Sequence, residues 1–342
     1  MPQIDVAQRK ERQSEETTGA MDEALGFDLE DQLATRAAWL YFVAGNTQSE
    51  IGKKLGLSRI RINRLLALAR EQGLVQINVT GRLADCVSLE EKLKDRFKLS
   101  HAVVVPTPLK QDQLPSVIGS AAGHYLDSQL KDGMSIGVGW GRTLRYSLRS
   151  VPRRTYKKLT VVSLMGGLTQ ASLVNPHETA SHLADIVGAQ CYYIAAPALT
   201  DSAATRDIFL KQPMVRDVFD RGARVDLALL SVGELTPFNT MIRVGLISSA
   251  DAASLAKAGA VGDICVHWID AKGRVIAHPL NRRVVALSPE RLKDIPCVVL
   301  ASGGRNKVSV LCGALNAGFV NVLVTDEATA RDVLSSMNHP GL

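Results

Sequence analysis

Apolar positions fall into a helical rhythm from Leu29 onward, with Leu33, Ala37, Leu40, Tyr41 and Ala44 recurring mostly three or four residues apart. This spacing predicts one buried face of a helix, and Gly45 is the residue type that commonly ends one. Thr47 and Glu50 form a capping-box pattern that opens a short second helix to Leu55. Gly56 turns the chain, Ser58 caps a third helix over Arg59–Glu71, and Leu74–Val79 alternates like a strand. A helix is then predicted over Leu83–Phe97. Beyond it, strand-length apolar runs alternate with helical stretches. The strand candidates are His101–Val105, Met134–Gly139, Leu159–Met165, Gln190–Ala195, Val225–Val232, Ile264–Ile269, Arg283–Leu287, Cys297–Ala301 and Val320–Thr325. Several are apolar throughout, as in strands covered on both faces. The expected fold class is α/β: a helix-turn-helix followed by a doubly wound, mostly parallel sheet.

Length divides this pattern into domains. The 342 residues allow two or three domains at about 100–200 residues each. The expected division is a disordered polar tail over 1–28, a helix-turn-helix over 29–82, a linker helix over 83–98 and an α/β domain over 99–342. With 46% hydrophobic and 22% charged residues, a wholly disordered chain is excluded. No apolar run approaches the roughly 18 residues that cross a bilayer, and the N-terminus lacks the apolar core of a signal peptide. A cytoplasmic protein without a membrane partner is expected. Cys86, Cys191, Cys265, Cys297 and Cys312 are scattered and form no CxxC pair, so no disulfide framework, metal site or cofactor is expected.

Charge is distributed unevenly. Residues 1–30 hold eight acids and three bases, whereas residues 36–82 hold eight bases and two acids. A basic block of this kind fits a polyanion-binding module, and equally a solvated surface. The local pattern favours the former. Ile51, Leu55, Leu57, Ile62 and Leu65 fall where two crossing helices must bury side chains. This leaves Ser58, Arg59, Arg61, Asn63 and Arg64 on the early part of the third helix, from which a recognition helix presents side chains to base edges. Lys53, Lys54 and Arg70 suit phosphate contacts. Leu74–Thr80 with Arg82 suits a wing. The competing reading is a three-helix unit that binds protein or nothing.

Two glycine turns follow strands. Gly137-Val-Gly-Trp-Gly-Arg-Thr lacks the spacing of a dinucleotide fingerprint and no Walker lysine follows. Arg142 nevertheless stands at a helix start, where a cation opposes the macrodipole, and Arg305 and Lys307 repeat this after Ser302-Gly-Gly. Each misplacement costs about 0.3–1 kcal/mol if unpaired, so a bound anion is one compensation; side chains leaning into solvent are the other. Met165-Gly166-Gly167 ends a further strand. Asn175 with Pro176 and Glu178 reads as a helix cap, with a ligand role second. Asp226 and Asp263 stand at predicted strand ends, where carboxylates accept sugar hydroxyls or cap turns.

Together these residues resemble the SorC family of bacterial transcriptional regulators. The resemblance runs from about residue 33 to 337. It rests on Thr47-Gln-Ser-Glu-Ile-Gly, Leu57-Ser-Arg, Asn63-Arg-Leu-Leu, the Gly137 turn, Gly259-Ala-Val-Gly-Asp-Ile, Ala301-Ser-Gly-Gly-Arg-Asn-Lys and Val324-Thr-Asp-Glu-Ala-Thr-Ala. It implies a winged helix-turn-helix joined to a sugar-binding domain related to phosphosugar isomerases. It further implies dimers or tetramers on palindromic double-stranded operators, and an effector that is a sugar, polyol or sugar phosphate. The DNA-facing set is then Thr47, Gln48, Lys53, Lys54, Ser58, Arg59, Arg61, Asn63 and Arg64. The effector set is Gly139, Gly141, Arg142, Thr143, Gly166, Gly167, Asn175, Asp226, Asp263 and Lys307. One departure stands in the recognition helix. Ile60-Arg61 follow Ser58-Arg59, where many members have Pro-Thr or Pro-Ser.

The expected function is a regulator of a carbohydrate or polyol catabolic operon, with repression relieved by ligand, and no catalytic activity. The alternative is an isomerase-like enzyme carrying a DNA-binding head, for which Glu234 is the one plausible base. A DNA-binding oligomer without effector is a third reading.

Overall fold

The computed structural model describes residues 29–71, 74, 82–168, 175–236 and 239–336. They form two compact units, divided between residues 80 and 81. The predicted tail and nearly all of the predicted wing lie outside the described residues.

In the first unit, helix α1 (residues 29–38) winds into one π-helical turn, Trp39–Val43, before α2 (Gln48–Leu55) and α3 (Arg59–Glu71). Thr47 and Glu50 make the full capping box, and Gly56, left-handed at φ +67°, turns α2 into α3. The core gathers Ala34, Ala37, Ala38, Ile51, Ile62, Leu65, Leu66 and Ala69, with Leu55 and Leu57 half-buried against it. The face predicted for α1 is partly displaced. The π turn adds a residue to the winding, closed by the Ala44 amide donating to the Trp39 carbonyl at 3.0 Å. This carries side chains off the i, i+4 rows. Of the predicted face, Leu29, Tyr41 and Ala44 are exposed, and Trp39, Phe42 and Val43 are exposed beside them.

The second unit begins α4 (Arg82–Phe97), β1 (His101–Val105), α5 (Leu114–Gln129), β2 (Ser135–Val138), α6 (Arg142–Leu148), β3 (Thr160–Gly167), α7 (Pro176–Val187) and β4 (Gln190–Pro197). It continues α8 (Ala203–Lys211), α9 (Pro213–Gly222), β5 (Leu227–Leu230), β6 (Val232–Glu234), α10 (Thr240–Arg243), α11 (Ser249–Lys257), β7 (Gly262–Ile264) and β8 (His267–Ile269). It closes with β9 (Cys297–Ala301), α12 (Val308–Asn316), β10 (Val322–Asp326) and α13 (Glu327–Ser335).

Seven strands form one parallel sheet in the order β1-β10-β9-β5-β2-β3-β4. Alternate strand residues serve opposite cores. Leu227 and Leu229 pack with α5, α6 and α7, whereas Ala228 and Leu230 pack with α9, α12 and α13. Both faces are therefore dry, which is why these strands read as unbroken apolar runs. Helix α4, read as a linker from sequence, packs into this unit. Its Cys86, Leu89 and Leu93 are buried in the second core, and Glu90 Oε1 accepts the Val104 amide at 2.8 Å.

Two strand expectations are corrected. Ile264–Ile269 is not one strand but the antiparallel hairpin β7–β8, extended by β6 into a three-stranded sheet. Its two-residue turn places Cys265 and Val266 at φ +49° and +62°, a left-handed pair that non-glycine residues adopt at a cost. Arg283–Leu287 contains no strand of the main sheet. It runs antiparallel against the last residues of β3 and just past the end of β4, through bridges from Met165 to Ala286 and from Leu199 to Val284.

Candidate functional site

From β2 the chain order runs outward through β3 and β4. From β5 it runs the other way, to β9 and β10, with β1 at the edge beyond β10. Such a reversal opens a crevice at the carboxyl ends of the strands. Here a cavity of about 200 Å³ occupies that position. Trp140–Thr143 follow β2 into it, Ser231 and β6 follow β5, and Gly303–Lys307 follow β9. Leu114, Pro115 and Ile118 of α5 complete an apolar wall with Trp140.

Glycines bring both helix starts to the cavity. Gly141 at φ +122° precedes α6, and Gly304 at φ +110° precedes the turn into α12. No side chain caps α6, so its first-turn amides are open to an acceptor. Arg142 is exposed at this end, and no carboxylate among the described residues lies within ion-pair distance of it. The helix-start argument is different at Lys307. Its Nζ stands 4.0 Å from Glu234 Oε2, with the two side chains only 20% and 13% exposed. The opposing anion is therefore supplied in part by the protein. Arg305 turns away to Asp332 at 3.7 Å, with its side chain 86% exposed.

Asp263 on β7 is buried beside this pair. Its Oδ2 accepts the Val266 amide at 3.2 Å, which ties the carboxylate to the left-handed hairpin turn. Burial pushes its carboxyl up to about 7. The Val266 bond and Lys307 act against that rise, and Glu234 adds to it. Burial likewise lowers the Lys307 ammonium from its ordinary value, with Glu234 and Asp263 opposing the fall and Arg142 adding to it. Both shifts have one cause: a charge in this cavity lacks the solvation it has in water. Gly233 faces Asp263 so closely that a Cβ would stand 2.1 Å from Oδ1. Asn239 is also buried; its Oδ1 accepts the Met241 amide at 2.6 Å, and its amide nitrogen donates to the Glu234 carbonyl.

Of the ten effector residues expected from sequence, Gly141, Arg142, Thr143, Asp263 and Lys307 line the cavity. Gly139 lies directly behind it, its amide donating to the Leu229 carbonyl at 2.9 Å. Four are placed elsewhere. Asp226 precedes β5, at the opposite end of the sheet, where its Oδ2 accepts the Ser135 amide at 2.7 Å and hydroxyl at 2.8 Å. Gly166 donates to the Val285 carbonyl of the crossing segment, and at Gly167 a Cβ would stand 2.4 Å from the His177 ring. Asn175 caps α7, accepting the His177 amide at 3.1 Å. These four stand outside the cavity lining. Sequence reasoning named Glu234 only as the base of the enzyme alternative and not among the effector residues, and it missed Asn239, Asn306 and Gln111.

The first unit offers a second surface. Lys53, Lys54, Ser58, Arg59, Arg61, Asn63 and Arg64 are all exposed. Thr47 caps α2, and Gln48 Oε1 accepts Arg59 Nε at 3.3 Å. The Ser58 hydroxyl accepts the Arg61 amide at 3.3 Å, and Lys54 Nζ donates to Asn46 Oδ1 at 2.9 Å. Ile60 is 71% exposed among these polar neighbours. No helix among the described residues is long and apolar enough to cross a membrane.

The chain is similar to known proteins. Residues 81–335 match the family of sugar-binding domains. The erythritol catabolism regulatory protein EryD of Brucella abortus is 33% identical over 91% of this chain and 99% of its own. The deoxyribonucleoside regulator of Bacillus subtilis is 31% identical over 90% and 98%. The full-length sorbitol operon regulator SorC of Klebsiella pneumoniae superposes with a TM-score of 0.69 at 26% identity, over 89% of this chain and 99% of that one.

Proposed function

Because the chain belongs to the SorC family of sugar-binding transcriptional regulators, we propose that it controls a carbohydrate or polyol catabolic operon in response to a sugar, polyol or sugar-phosphate effector. It is a regulator and not an enzyme: the relatives are transcriptional regulators, and this sets aside the isomerase reading built on Glu234.

One observation carries the effector reading: Asp263, Glu234 and Lys307 are gathered in a cavity that Gln111, Arg142, Asn239 and Asn306 also line, with Leu114, Pro115, Ile118 and Trp140 as its apolar wall. A buried polar group without a full set of partners costs about 1–3 kcal/mol. Sugar hydroxyls supply what the group lacks, donating to the carboxylates and accepting from the ammonium. Trp140 offers an apolar face to ring carbons. Arg142 and the open amides of α6 suit a phosphate.

The first unit reads double-stranded operator DNA. Arg59 and Arg61 suit guanine, Asn63 suits adenine, and exposed Ile60 suits a thymine methyl. Thr47, Gln48, Lys53, Lys54, Ser58 and Arg64 hold phosphates. The protein acts in the cytoplasm as a dimer or tetramer on palindromic sites, and ligand releases it from DNA.

Thermal-shift screening against paired sugars, polyols and their phosphates tests this reading. A ligand at 100 times its dissociation constant adds about 2.7 kcal/mol. The hit compound must then alter the affinity for operator DNA. A panel without any shift, or a shift without an effect on DNA, refutes it.

A further inference from the structure

The basic face of the first unit already holds one anion. Arg61 NH2 stands 3.7 Å from Glu30 Oε1, both side chains about half exposed. Among the described residues this is the one ion pair made by the exposed bases Lys53, Lys54, Arg59, Arg61 and Arg64. Glu30 also stands near the end of an acidic stretch: residues 13–31 carry seven acids and no base. The sixteen residues before Leu29 span at most roughly 50 Å when extended, and α3 is only about 20 Å long. The acidic stretch therefore has the length and the sign of charge to lie along the face that DNA would occupy.

We propose that the acidic segment over residues 13–31 is an intramolecular competitor for DNA, with Glu30 on Arg61 at its anchored end. The inference rests on the DNA-binding reading above. DNA must displace these carboxylates, so fewer counterions are released on binding than the basic residues alone would release. The competitor weakens binding most at low salt, where the Debye length of about 10 Å at 0.1 M covers several charges at once.

The test uses the full chain and a labelled random-sequence duplex, titrated between about 50 and 200 mM salt. Glu30→Gln is expected to tighten binding about two- to fivefold at the low end. Asp22→Asn/Glu23→Gln tightens it in the same sense. Each carboxylate removed should steepen the logarithmic salt slope by about 0.9. Asp112→Asn/Asp220→Asn, exposed acids of the second unit, removes the same charge and leaves binding unchanged. Wild-type binding equal to that of the tail variants overturns this inference and leaves the DNA reading intact. Equal tightening by the second-unit pair also overturns it, since net charge then suffices. No DNA binding by any of these proteins removes the DNA reading and this inference together.

Discussion

Asp263 makes the stability of the second unit depend on pH in a direction opposite to ordinary acid denaturation. Its carboxyl is buried, and its pKa is raised from 3.8 to about 7. Below the lower value both folded and unfolded chains are protonated at this site. Between the two values the unfolded chain releases the proton and the folded chain keeps it, so stability falls as pH rises, by about 1.4 kcal/mol per pH unit. Above 7 both are ionised and the loss levels off at about 4 kcal/mol, an order-of-magnitude figure. Asp263→Asn keeps the shape and the acceptor for the Val266 amide but has no proton to lose. Urea unfolding of both proteins, followed by fluorescence of the buried Trp140 and Trp268, should show the variant gaining on the wild type by a few kcal/mol between pH 4.5 and 8. A difference that stays constant over this range refutes the buried-carboxyl argument.

Lys307→Met removes the ammonium that faces Glu234 at 4.0 Å; the thermal shift by a phosphorylated effector should shrink or vanish while operator affinity in anisotropy titrations stays within about twofold, since the change is confined to the second unit. Gly233→Ala drives a Cβ toward Asp263 Oδ1; overpacking at such a contact costs about 1–3 kcal/mol, visible as a lower melting temperature together with weaker effector binding. Arg59→Ala should cost about 1–3 kcal/mol on operator DNA and relax preference at one base pair; equal weakening on every sequence would assign Arg59 to phosphate.

The fold was legible where physical constraint is strong and local. Both-face burial leaves apolar runs such as Leu227–Leu230 and Cys297–Ala301 no alternative pattern. The capping box at Thr47 and Glu50 is a two-residue device visible at its own spacing. The β7–β8 turn was not legible, because a two-residue hairpin usually announces itself by glycine or asparagine at positive φ, and here Cys265 and Val266 take those places. The π turn in α1 left no signal either: Trp39–Val43 is apolar throughout, and nothing in its composition marks the i→i+5 winding.

The site was half legible for a related reason. Gly141, Arg142 and Lys307 stand at helix starts, a local feature that the dipole argument reads from sequence. Asp226 opens its strand, so chain direction already puts it at the amino end, away from the carboxyl-end crevice of a parallel sheet, and there it ties β5 to β2. Glu234 acquires its meaning only when β6 folds against β7 and brings it toward Lys307.

The same convergence bears on how a ligand can act. The cavity walls come from segments after β2, β5 and β9 and from the small antiparallel sheet. Across the cavity, Glu234 and Lys307 make one long ion pair. A ligand shifts an equilibrium only by its differential affinity for two states, and about 1.4 kcal/mol gives a tenfold change in DNA occupancy. Completing the partners of a single buried group supplies that much, at about 1–3 kcal/mol. Three such groups meet here, so a small neutral polyol has enough to work with. A phosphate on Arg142 would set which ligand is chosen more than whether the switch can turn.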